Sequence, residues 1–104
     1  MKTLHLNLKR KWFDMILAGE KKEEYRDLTS YWESRFIRPI PGEPEEFNFS
    51  FFDTVTFSNG YAKDRPQFTI ELKLILIGHG RSEWGAEEDK EYFVLRLGRI
   101  LSSR

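Results

Sequence analysis

The sequence predicts an α+β fold, a small mixed β-barrel of five or six strands with two or three short helices packed at its ends. Three observations lead there. Apolar residues alternate with period two in several separate segments. Two segments in the first third switch to a helical period. The 104 residues include nine Phe, four Tyr and three Trp, enough bulky material for one core and too short a chain for a second. Residues 1–104 are therefore expected to form a single domain.

The first strand is read at residues 3–8, where Leu4, Leu6 and Leu8 share one face. From Lys9 the period changes: Trp12, Phe13, Ile16 and Leu17 lie one helical turn apart, with Lys9, Arg10, Lys11 and Asp14 between them. Gly19 then stands where a helix ends in a left-handed glycine. Residues 21–26 are too polar for a buried strand and suit one that lines a wet groove. Alternation sets Lys22, Glu24 and Arg26 on one side and Lys21, Glu23 and Tyr25 on the other, so Lys21 joins Glu24 only from a turn or a bulge. A second short helix is expected over 28–38, from the spacing of Leu28, Tyr31, Trp32, Arg35 and Phe36, with Thr29 or Ser30 as N-cap. Trp12, Phe13 and Trp32 are read as core.

Pro39, Pro41, Gly42 and Pro44 predict an irregular surface loop over 37–46. Phe47, Phe49 and Phe51 alternate and lead through Asp53 into a strand at residues 54–58, closed by the turn pair Asn59-Gly60. Phe68, Ile70, Leu72, Leu74 and Leu76 hold period two and predict one long strand with those five residues on a single face. A polar loop around Trp84 follows, with room for a short helical turn. The last strand spans 92–101, and residues 102–104 are expected to fray.

Composition excludes several chemistries. Without cysteine there is no disulfide framework, thiolate metal site or cysteine nucleophile. His5 and His79 do not fall at a metal-ligand spacing, so no metal and no cofactor are expected. Seventeen basic and seventeen acidic residues cancel, unlike the basic excess of proteins that hold long nucleic acids by their phosphates. The balance is uneven: residues 1–38 carry a net +3, residues 39–53 a net −4 and the rest a net +1. No apolar run reaches the length of a membrane span, and a cytoplasmic setting without membrane contact is expected.

The densest chemistry lies at 19–26, which reads G-x-K-x-x-E-x-R with Gly19, Lys21, Glu24 and Arg26 in the fixed positions. Together with the strand and helix before it and the strand at 54–58 after it, this motif resembles the ASCH (activating signal cointegrator homology) domain of the PUA-like β-barrel superfamily, over nearly the whole chain. The resemblance implies a barrel with a cleft beside the helix, lined by the motif and suited to RNA or to a modified nucleotide or nucleoside. On that reading Lys21 meets a phosphate or carbonyl oxygen, Glu24 accepts from an exocyclic amine, and Arg26 contacts phosphate or pins Glu24. Asn59 and Tyr61 are read as projecting into the cleft, Tyr61 to stack on a base. Trp84 is read as a lid or partner-contacting aromatic, or as a plug for the barrel end.

Two alternatives accompany this reading. A bacterial branch of the family resembles amidohydrolases of acetylated cytidine, in which a lysine matching Lys21 works with a threonine and a distant glutamate. Here the threonine position is Glu24, so Lys21 and Glu24 become the catalytic pair if the chain is an enzyme, with Glu24 as general base and Glu71 or Glu83 as a second acid. The other alternative is a protein-interaction module in transcription or translation regulation that binds a protein partner through Trp84 and the proline-rich segment.

Overall fold

A computed structural model describes residues 1–103. Five strands, β1 (Thr3–Asn7), β2 (Glu23–Asp27), β5 (Thr54–Ser58), β6 (Gln67–His79) and β7 (Glu91–Ser103), form one curled mixed sheet in the order β1-β5-β6-β7-β2. The β1–β5 pair is parallel and the rest are antiparallel. Helix α1 (Arg10–Leu17) and helix α2 (Ser30–Phe36) fill the connections on either side of β2. The α+β class with a curled sheet and two helices thus agrees with expectation.

The core lies inside the curl. Leu4 and Leu6 of β1, Phe13 and Ile16 of α1, Phe36 of α2, Val55 and Phe57 of β5 and Phe93, Leu95 and Leu97 of β7 are all buried there. Strand β5 lies between β1 and β6, which explains how it buries two threonines: Thr54 pairs with Thr3 and Thr56 with Thr69, each hydroxyl pair at 2.8 Å. Helix α1 ends through Gly19 at φ +79°, and α2 is capped by Thr29, whose side chain accepts from the Trp32 N–H.

Four expectations are corrected. Residues 37–46 are no loop: β3 (Ile37–Ile40) and β4 (Glu43–Phe49) form a separate two-stranded hairpin that turns at Pro41-Gly42, with Gly42 at φ +82°. Pro39 and Pro44 are tolerated because a two-stranded ribbon leaves outward-facing N–H positions without a ladder to join. Phe51 lies beyond β4 and is 70% exposed. In β6 the inward face changes at Lys73: Phe68, Ile70 and Leu72 face the core, but the next buried residue is Ile75, and Leu74 is 42% exposed. Leu72 pairs with Leu97 and Leu74 with the adjacent Arg96, so Lys73 is the extra residue of a bulge that reverses the alternation. Finally, Ser102 and Ser103 pair with Thr69 and Phe68 rather than fray, while Arg104 lies outside the described residues.

Candidate functional site

Strands β1 and β2 are the two outer strands of the sheet, and the curl brings them near each other without a shared backbone ladder. One side chain bridges the gap: Arg26 Nη2 donates to the Asn7 carbonyl at the end of β1 at 3.0 Å. A cleft of about 520 Å³ opens along this seam. Asn7, Leu8 and Lys9 form one lip, Glu24 to Asp27 the other, and Trp12, Trp32 and Trp84 the surrounding walls. Lys90 and Glu87 complete the rim.

The motif divides into a buried half and a cleft-facing half. Lys21 precedes β2 instead of belonging to it, which releases it from strand alternation and brings it onto Glu24, as a turn position requires. Its side chain is 1% exposed. The ammonium donates to the carbonyls of Glu23 (2.6 Å) and Trp84 (2.8 Å) and forms an ion pair with Glu24 Oε1 (3.1 Å), so three acceptors surround it. It also stands 4.7 Å from the Tyr25 ring centroid and 5.3 Å from that of Trp12. Burial pushes the Lys21 pKa below the usual lysine value against the opposing pull of Glu24. Lys21 thus ties the 3₁₀ turn at Ser82–Trp84 to the start of β2 and does not line the cleft.

Glu24 is the hinge between the halves. Its Oε1 faces Lys21, and its Oε2 accepts from Arg26 Nη2 at 2.7 Å. Glu24 and Arg26 both line the cleft, as alternation along β2 predicts. The Arg26 guanidinium lies 5.1 Å from the Trp32 ring centroid, and its Nε is buried with no hydrogen-bond partner. The opposite face of β2 carries Tyr25, whose hydroxyl donates to Glu23 Oε1 at 2.8 Å and accepts from the Arg81 N–H at 3.0 Å. Burial raises the Tyr25 pKa well above the ordinary tyrosine value. At the rim, Lys90 bridges Asp27 (3.2 Å) and Glu87 (3.3 Å), and these bonds raise its pKa.

The other expected residues fall in different places. Gly19 supplies the turn that ends α1 and borders a separate depression with Ile16 and Ile70. Asn59 donates its side-chain amide to the Leu8 carbonyl at 2.9 Å, holding the lip of the cleft rather than lining it. Tyr61 is 88% exposed and borders a different shallow site beside His5 and Arg65. Glu71 accepts from the Arg99 N–H at 2.8 Å across the β6–β7 irregularity, and neither Glu71 nor Glu83 lines the cleft. Trp84 is half-buried and forms a cleft wall. Trp12 and Trp32, read as core from their helical spacing, are half-buried: they pack against the core and also line the cleft. Their period marks the inward face of each helix, but an inward face at the seam of the curled sheet meets an opening as well as a core. Asn7, Lys9, Lys90 and Tyr92 gave no sequence signal, because only the fold draws them together.

No family model, curated protein or solved structure matches this chain.

Proposed function

We propose that the seam cleft binds the base of an RNA nucleotide, or of a modified nucleotide or nucleoside, and that the chain is an ASCH domain of the PUA-like type. One observation supports this above the rest: all three tryptophans, from three separate elements, surround the Glu24–Arg26 pair in a single cleft. Its volume of about 520 Å³ falls in the range of small-molecule sites. Indole walls suit a planar ring, and stacking on aromatic side chains is worth about 1–3 kcal/mol per base. Glu24, fixed by Lys21 and Arg26, keeps acceptor capacity for an exocyclic amine. Lys9, Arg26 and Lys90 balance Glu24, Asp27 and Glu87 around the cleft, which suits an uncharged base better than a polyphosphate.

Titration by tryptophan fluorescence with nucleosides, acylated nucleosides and short RNA oligomers tests the reading. A ligand that quenches the indoles is expected, with binding weakened about tenfold in Trp32→Ala and in Glu24→Gln, each checked for fold by circular dichroism. Absence of binding across the set, or affinities unchanged in both variants, overturns it.

Hydrolysis of an acylated nucleoside is the second reading, favoured by the lowered pKa of Lys21 beside Glu24. Against it stand the two hydrogen bonds and the ion pair that already engage the Lys21 ammonium and the missing hydroxyl nucleophile at position 24. Acetylcytidine incubated with the protein at high concentration is expected to be recovered intact by chromatography; deacetylated product would promote this reading over simple binding.

A further inference from the structure

A second groove of about 490 Å³ shares Trp84 with the seam cleft. Four cations surround it: Lys22, Lys73, Arg81 and Arg96. They come from four places in the chain, the approach to β2, the bulge of β6, the loop before the 3₁₀ turn, and β7. The bulge matters here. Lys73, its extra residue, is exposed beside Arg96 at the Leu72-to-Leu74 irregularity. Two acids, Glu20 and Glu23, also line the groove. Glu23 is engaged by the Tyr25 hydroxyl and by Arg96 Nε at 3.2 Å. Among the described residues Lys22, Lys73 and Arg81 make no ion pair, and the Arg81 guanidinium lies 4.9 Å from the Trp84 ring centroid. A chain of zero net charge therefore holds a local excess of cations in a groove that shares an aromatic wall with its cleft.

We propose that this groove is a phosphate-binding subsite for the ligand whose base occupies the seam cleft, with Lys22, Lys73 and Arg81 as the phosphate contacts. The proposal rests on the cleft reading above and adds the anionic part of the ligand, which the charge-balanced cleft suits less well than an uncharged base. Phosphate next to a base has two sources, the nucleotide's own phosphate and the backbone of a single RNA strand. Lysine and arginine at the surface bind either through charge, with a marked dependence on salt.

The experiment compares adenosine, cytidine, guanosine and uridine with their 3′- and 5′-monophosphates and with the corresponding RNA homopentamers, at low and high salt. At least one phosphorylated form is expected to bind tenfold or more tightly than its nucleoside at low salt. That advantage is expected to shrink severalfold at high salt and in Lys22→Ala and Lys73→Ala, whose affinity for the nucleoside stays at the wild-type level. A gain seen with a monophosphate assigns the groove to the nucleotide's own phosphate; a gain confined to pentamers assigns it to the strand. Phosphorylated forms that bind no better than nucleosides, or an advantage that survives both substitutions, overturn the subsite while leaving the cleft reading intact. Failure of every probe to bind overturns the cleft reading and the subsite with it.

Discussion

At the scale of single residues, Lys21 organises the site without touching its open space. An ammonium 1% exposed is tolerable because three acceptors meet its three donors, one of them a carboxylate. Removing one partner of such a buried pair leaves the other uncompensated. Lys21→Ala is therefore expected to destabilise the fold by about 3–5 kcal/mol in urea denaturation, and Lys21→Met by less because it keeps the volume. Loss of ligand binding in Lys21→Ala would accordingly report the collapse of the Trp84 wall, not a lost contact. Tyr25 gives a prediction with a defined sign in pH. Its folded-state pKa lies above the unfolded value of 10.0, so on raising the pH the unfolded chain loses its phenolic proton first. The stability that this group contributes is complete below pH 10.0 and declines as pH rises beyond it. Denaturation curves across that range should show the decline in the wild type and a flatter profile in Tyr25→Phe.

At the scale of elements, the 3₁₀ turn and the residue after it decide the shape of the cleft. Gly85 has φ +103°, and a Cβ there would stand 2.9 Å from Trp12 Cζ2. Gly85→Ala is expected to cost about 1 kcal/mol or more, from the left-handed backbone and the crowded indole together, and to shift the tryptophan emission spectrum as Trp12 moves. An unchanged spectrum and melting temperature would count against this role. The element scale also shows what was legible beforehand. Period and punctuation located β1, α1, α2, β5 and β7 because each is decided by its own residues: the alternating leucines of β1, Gly19 after α1, Thr29 before α2. The bulge at Lys73 was hidden because it is set by pairing with β7, and alternation in β6 runs through it unbroken at the level of composition. The hairpin was hidden by prolines, which forbid a central strand but not a ribbon. Within the motif, the convergence of Glu24 and Arg26 followed from alternation, and Lys21 could join them only from outside the strand, where it stands. Asn59 and Tyr61 were placed by their nearness in sequence to a strand end, and a loop over 59–66 carries them elsewhere.

At the scale of the whole molecule, β6 and β7 form the most extensive pairing, and the β3–β4 hairpin is a separate two-stranded sheet with Phe47 41% exposed. Stability should be distributed accordingly. Amide exchange is expected to be slowest in the middle of β5, β6 and β7 and faster by orders of magnitude along β4, whose residues from Glu43 to Asn48 are exposed. Equal protection in the two sheets would contradict that ranking. Among the described residues no helix is long and apolar enough to cross a membrane. The seam has one more consequence at this scale. A curled sheet left open has two raw edges, each a template for strands of other molecules. Here the ends of β1 and β2 lie close enough for Arg26 to span them, and Trp12 and Trp32 flank the gap, so an incoming strand would have to break that clasp before it could pair. Arg26, which lines the cleft, thus also guards the open edges against self-assembly, and Arg26→Ala is expected to lose solubility, measurable as light scattering that grows with protein concentration.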